Sequence, residues 1–248
     1  MKRLLSFVRR AVDDYDMIEA GDRIAVGVSG GKDSLALLEV LAQMRIFYPK
    51  KYEVFAVTVD MGFEGSDFSE IEEFCRRIKV KYLKVDTQIA KIIFDVRKES
   101  NPCSLCAKMR RGSLHAAAQE LGCNKVALGH HYDDAIETFM MNLFFEGRLG
   151  CFSPKSYLSN RKITLIRPLL YAQEKDVLYF ARRRSLPIVT SLCPEDHATE
   201  REKMKNLLFE LERGNKGLKH RIFTAMCNGE IDGFKKIGRY PDAGEIKE

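Results

Sequence analysis

The sequence contains no apolar run of the roughly 18 residues that a bilayer crossing requires, so spanning helices are not expected. It has no internal repeat and no low-complexity segment, which excludes solenoids and linker-type chains. The basic stretch "MKRLLSFVRRAVDDYDMI" has its apolar run broken by Arg9 and Arg10. It reads as an amphipathic helix and not as a signal peptide, and the expected compartment is the cytoplasm. An acidic surplus is also missing: 41 Lys and Arg stand against 35 Asp and Glu, a formal net charge of +6. That excess is compatible with a polyanionic partner and equally with a solvated surface. Seven cysteines in a cytosolic chain of 248 residues argue against a disulfide scaffold and leave some thiols for metal.

Short β-branched runs alternate with longer helical patterns. The expected strands are 23–28, 53–59, 80–85 and 125–129, with a weaker run at 187–190. Strands separated by helices imply right-handed crossovers and an α/β fold with a parallel sheet covered on both faces. An N-terminal amphipathic helix (1–20) precedes an α/β domain (21–173). The pattern then turns helical (174–240), a C-terminal extension expected to complete the cysteine site, and ends in a loose tail (241–248).

The turn "SGGKDS", Ser29 to Ser34, joins the first strong strand to a helix. Gly30 and Gly31 permit positive φ and close approach of a ligand. Successive backbone N–H groups and the helix N-terminus behind them favour an anion, and Lys32 adds a positive charge. The turn is not a Walker A loop: the first glycine is replaced by Val26, and Asp33 stands where the magnesium-binding hydroxyl belongs. A Gly-x-Gly-x-x-Gly dinucleotide fingerprint is likewise absent. Beside a phosphate, Asp33 reads as a Mg²⁺ ligand or orienter, because a bare carboxylate there is repulsive. The bland alternative is an ordinary capped turn.

"NPCSLCAKMRRG" sets Cys103 and Cys106 two residues apart, and "TSLCPEDH" contributes Cys193. Three readings stay open on spacing alone: zinc completed by His197, a dithiol persulfide relay, or a 4Fe-4S cluster with one open iron. Cys75, Cys123, Cys151 and Cys227 read as core or surface thiols. In "LGHHYDDAIET", Gly129, His130, His131 and Asp133 follow the fourth strand, where ligands of open α/β sheets bind. Adjacent histidines on a strand point opposite ways, so one metal shared by His130 and His131 is not expected. Asp60 ends the second strand, either near a ligand or as a plain strand-ending turn. Arg110 and Arg111 are the favoured RNA contacts among several basic runs. No stacking-sheet RNA signature is present, so recognition by shape with a splayed-out base is expected.

"SGGKDS" resembles the pyrophosphate loop of the ATP pyrophosphatases. With "PCSLCAKMRRG", "KVALGHHYDDAIET", "IRPLLY" followed by "EKDV", and "LC" before proline, the chain resembles the tRNA-cytidine 2-sulfurtransferase family from about Arg23 to Phe234. The resemblance implies a Rossmann-like PP-loop fold of the adenine nucleotide alpha-hydrolase type. It implies ATP and Mg²⁺ at Ser29, Gly30, Gly31, Lys32, Asp33 and Ser34. Asp60, Gly129, His130 and Asp133 are implied to lie near the nucleotide. It also implies a 4Fe-4S cluster on Cys103, Cys106 and Cys193, whose unligated iron carries sulfur. Implied partners are tRNA and a sulfur donor such as a cysteine desulfurase, with a homodimer allowed. Rival expectations are another adenylating enzyme of this loop class, such as a lysidine-forming ligase, or a non-catalytic ATP- or RNA-binding protein.

Overall fold

A computed structural model describes residues 2–97, 102–190, 192–194 and 200–236. The chain divides into two compact units: residues 1–132 with 155–199, and residues 133–154 with 200–248.

The first unit is built on one six-stranded sheet in the order β3-β2-β1-β4-β6-β5. Its strands are β1 (Arg23–Gly27), β2 (Glu53–Asp60), β3 (Lys81–Asp86), β4 (Lys125–Ala127), β5 (Lys155–Leu158) and β6 (Ile163–Ile166). All neighbours pair parallel except β5 and β6, which form an antiparallel edge hairpin. The helices are α1 (Lys2–Asp14), α2 (Lys32–Phe47), α3 (Ser69–Arg77), α4 (Pro102–Glu120) and α6 (Glu174–Arg183). A π-helical stretch, Lys91–Arg97, precedes α4.

The central strands are apolar on both faces, as a covered parallel sheet demands. On one face Ala25, Phe55, Val57 and Val126 pack with Leu114, Ala117 and Ala118 of α4. On the other lies α2, buried nearly all round from Ser34 to Ala42. α1 buries Leu4, Val8, Ala11 and Val12, an i, i+4, i+7, i+8 stripe, and is amphipathic as expected. Lys125 is buried in the sheet and satisfied, donating to the Met17 carbonyl at 2.8 Å and pairing with Asp22 at 2.6 Å.

Two differences from the expected strands have physical causes. Residues 187–190 are not a strand: Pro187 has no N–H, and the Val189 N–H is given to the Gly30 carbonyl instead of a sheet neighbour. The hairpin of β5 and β6 was not expected, because each is only four residues long.

Strand order reverses between β1 and β4. The loops following these two strands therefore flank a crevice at the carboxyl edge of the sheet, where ligands of open α/β sheets bind.

The second unit comprises most of α5 (Tyr132–Phe145), α7 (Glu200–Gly214), α8 (Leu218–Asn228) and a 3₁₀ turn, Ile231–Gly233. Phe223 and Phe234 meet edge to face in its core, with centroids 5.6 Å apart. No helix among the described residues is long and apolar enough to cross a membrane.

Candidate functional site

The chain turns at the crevice between the end of β1 and the start of α2. The Val28 N–H still bonds the Val57 carbonyl at 2.8 Å, so the turn begins fixed to the sheet. Gly30 takes φ +89°, which glycine adopts without strain. Two hydroxyls hold the turn. Ser34 Oγ donates to the Gly31 carbonyl (2.9 Å) and accepts from the Ser29 N–H (3.2 Å), while Ser29 Oγ accepts from the Gly31 N–H (3.4 Å). Gly31, as N-cap, offers no side chain, so the opening N–H groups of α2 have no side-chain cap. Such orphan donors at a helix N-terminus favour an anion.

Lys32 Nζ lies between Asp33 Oδ2 (3.0 Å) and Glu174 Oε1 (3.1 Å), the latter in the first turn of α6. Burial opposes the ammonium, but these two carboxylates outweigh it and hold its pKa above the ordinary lysine value. Asp33 Oδ1 is buried and has no hydrogen-bond partner among the described residues. His131 Nε2 stands 3.7 Å from it. A buried carboxylate oxygen without a donor is costly, and it is the ligand type that a hard divalent cation takes.

Gly129 packs against the start of α2. A Cβ there would come within 3.1 Å of the Asp33 carbonyl carbon and of the Ser34 nitrogen. Its lack of a side chain therefore lets the loop after β4 seat against the turn after β1. The neighbouring histidines take different partners, His130 Nδ1 accepting from Arg167 Nε at 3.3 Å while His131 faces Asp33. Asp60 ends β2 and is both turn and site: Oδ1 accepts from the Gly62 N–H (2.9 Å), and Oδ2 lies 3.6 Å from Lys84 Nζ.

A cavity of about 720 Å³ opens above these residues. Ser29, Gly31, Lys32, Asp33, Asp60 and Arg110 all line it, beside a wall from Met61 to Phe68 and another from Ile188 to Leu192. Arg111 is exposed and is not among the lining residues.

α4 opens with Pro102, whose missing N–H suits a first helical position. Cys103, Cys106 and Arg110 follow at i, i+3 and i+7, on one helix face. Cys106 Sγ lies 3.5 Å from Met61 Sδ. Burial raises the Cys106 thiol pKa; Arg110 opposes the rise, and Cys193 and Cys103 add to it. Among the described residues no group of three or more His, Cys, Asp or Glu is already arranged to hold a metal. Thiols are soft donors, and the chemistry of Cys103, Cys106 and Cys193 suits an iron–sulfur cluster. His197 lies outside the described residues. Burial pushes Cys75 and Cys227 up to about 12 and Cys123 up to about 11, so these three are inert core thiols.

Asp133 lies in the second unit, where its Oδ1 pairs with Lys219 Nζ at 2.7 Å. Arg201 lies 3.3 Å from Asp134 and 3.6 Å from Glu137. Burial, with Asp134 beside it, pushes the Glu137 carboxyl up to about 7, and Arg201 opposes the rise.

Glu174 and Val189 touch the turn but were not among the expected site residues. "EKDV" held the signal for Glu174. Nothing local marked Val189, because its role is a backbone bond made across more than 150 residues.

The sheet order, the glycine turn and the crevice define a PP-loop protein, and the PP-loop domain model (ATP_bind_3) matches residues 4–212. Among solved structures, the U34-tRNA thiolase NcsA from Methanococcus maripaludis, with its 4Fe-4S cluster, is similar at a TM-score of 0.75 and 28% identity. That match covers 89% of this chain and 75% of the other. NMN synthetase from Francisella tularensis shares the fold, at a TM-score of 0.51 and 15% identity over 97% of this chain and 96% of that one. The tRNA-cytidine(32) 2-sulfurtransferase of Geobacter sulfurreducens is 42% identical over 92% of this chain and 90% of its own length. That of Geotalea daltonii is 43% identical over 92% and 91%. The chain belongs to the tRNA-cytidine(32) 2-sulfurtransferase family.

Proposed function

We propose that this protein thiolates tRNA with ATP, converting a cytidine, at position 32 by its family, into 2-thiocytidine. The observation that carries the reading is one cavity lined by Lys32, Arg110 and Asp33, whose Oδ1 has no hydrogen bond among the described residues, with Cys106 one turn from that arginine on α4. Other adenylating enzymes of this loop class have no need of the three cysteines.

In this reading the backbone N–H groups from Gly31 onward, with Lys32, bind the β- and γ-phosphates of ATP. Asp33 holds Mg²⁺ through Oδ1, and Glu174 orients Lys32. The 2-oxygen of a splayed-out cytidine attacks the α-phosphorus, and the bond from that phosphorus to the bridging oxygen of the β-phosphate breaks. Pyrophosphate leaves, its charge neutralised by Lys32 and the cation. Sulfur then replaces the adenylated oxygen at C2, and AMP leaves. Cys103, Cys106 and Cys193 would hold the 4Fe-4S cluster that, when bound, supplies this sulfur. Arg110, between the cysteines and the phosphate end, suits an RNA or AMP phosphate, with Arg111 as an outer RNA contact. Asp60, Gly129 and His130 complete the proposed nucleotide environment. A cysteine desulfurase or similar donor reloads the sulfur, the protein works in the cytoplasm, and the reading allows a homodimer.

Anaerobic purification followed by iron and acid-labile sulfide assay tests the cysteine half. Iron and sulfide are expected; zinc without sulfide contradicts it. Nucleoside analysis of tRNA from a deletion strain tests the target, and unchanged 2-thiocytidine rejects it.

A further inference from the structure

Beyond α6, Val189 lies against the nucleotide turn. α6 is fixed to α2 near both its ends, by Glu174 on Lys32 (3.1 Å) and by Arg184 Nε on the buried Glu39 Oε1 (2.7 Å). Beyond Arg184, Ser185 takes φ +47° and reverses the chain. The Leu186 N–H bonds the Ala181 carbonyl at 3.1 Å. The Val189 N–H then donates to the Gly30 carbonyl at 3.0 Å. Its side chain covers Gly30 so closely that a Cβ on that glycine would meet Val189 Cβ at 3.1 Å. Cys193 follows four residues later.

The Gly30 carbonyl and the Gly31 N–H belong to one rigid, planar trans peptide unit and point in opposite directions. The Gly31 N–H holds only a 3.4 Å bond to Ser29 Oγ. A phosphate that takes this N–H tilts the plane, and the Gly30 carbonyl moves with it. Val189 is bonded to that carbonyl and must follow. We infer that Val189 is a positioning residue that couples occupancy of the nucleotide turn to the placement of Cys193, through the hydrogen bond from its N–H to Gly30. This inference rests on the proposed reading that the turn binds ATP and that Cys193 serves the sulfur site.

The test uses the cluster-free full chain with magnesium and a non-cleavable ATP analogue. Analogue affinity is measured by calorimetry. Alkylation of Cys193 by iodoacetamide is timed by mass spectrometry, with Cys103 as internal reference. Saturating analogue is expected to change the Cys193 rate about fivefold or more and the Cys103 rate less than about twofold, as small displacements of a reacting group allow. Val189→Pro removes the N–H: at analogue concentrations that saturate the variant, the Cys193 response disappears. Val189→Ala and Val189→Ile keep the N–H and keep the response. Binding without a Cys193 response in the wild type overturns the coupling and leaves the nucleotide reading intact. So does a response that survives Val189→Pro. If the analogue does not bind the wild type, the nucleotide reading falls and the coupling falls with it. The wild-type result decides even if the proline variant does not fold.

Discussion

The nucleotide turn and the cysteine trio are the two halves of one proposed reaction, and they are built differently. The turn is held by groups within it and beside it: Ser29 and Ser34 bond its backbone, and Gly129 lets the loop after β4 seat against the start of α2. The cysteines belong to two separate segments, the first turn of α4 and the chain beyond α6. They form no closed metal cage among the described residues. A phosphate site can be preorganised from backbone groups that the fold already orients. A thiolate site repels itself until a cation arrives, so its final geometry belongs to the cluster as much as to the chain.

This contrast is broken most severely at Asp33. Asp33→Asn keeps the shape and removes the charge that would hold Mg²⁺. Thiolation should fall about 100-fold or more, with AMP release lost in parallel, while iron content is retained. AMP release at the wild-type rate from that variant contradicts the role. The converse break is Cys106→Ser. It should strip iron and sulfide and abolish 2-thiocytidine, yet leave ATP affinity within about twofold, because the turn does not depend on the thiols. Loss of ATP binding on that substitution means the halves are not separable.

A smaller effect is expected at Glu174, which holds Lys32 from α6. Glu174→Gln keeps a hydrogen-bonding group but loses the charge. Steady-state kinetics should show about a tenfold loss in kcat/KM for ATP, with the fold intact by circular dichroism. An unchanged value makes Glu174 merely a neighbour.

The smallest effect sharpens the comparison from outside both halves. Glu137 in the second unit has its carboxyl pushed up to about 7 by burial and by Asp134. The unfolded chain holds it near the ordinary glutamate value. The folded state therefore binds the extra proton between those values. The stability this gives is complete below the ordinary value and is lost as pH rises through about 7. Glu137→Gln should remove this slope, on the order of 1–2 kcal/mol between pH 4 and 8, in denaturant melts. A slope that persists in the variant assigns the titration to another group.

Much of the site was legible because its determinants are local. "SGGKDS" marks the turn since its glycines, charge and cap lie within six residues after an apolar strand. Its failure as a Walker A loop, with Asp33 in place of a hydroxyl, set it apart from the commoner phosphate turn. The core strands were legible from continuous apolar runs, and α1 from its helical period. The β5–β6 hairpin was not, because two four-residue strands carry too few residues to show a period. The run at 187–190 misled for a related reason. Its residues suit a strand, but Pro187 and the Gly30 carbonyl decide otherwise. That the missing side chain of Gly129 makes room for the backbone at the start of α2 was not legible, because that contact is long-range. Long-range partners such as Glu174 for Lys32 or His131 for Asp33 become visible only when the strands are ordered.

The central claim is that the turn activates a tRNA cytidine by splitting ATP between its α- and β-phosphates, and that the cysteine half then supplies sulfur. The most direct measurement is a single anaerobic turnover of cluster-loaded protein with unmodified tRNA, Mg²⁺ and ATP labelled at the α-phosphate. Nucleotide products and 2-thiocytidine are quantified together. The account predicts AMP and pyrophosphate in equal amounts, matched by 2-thiocytidine. Formation of ADP and phosphate, or AMP with no thionucleoside from an iron-replete protein, would contradict it.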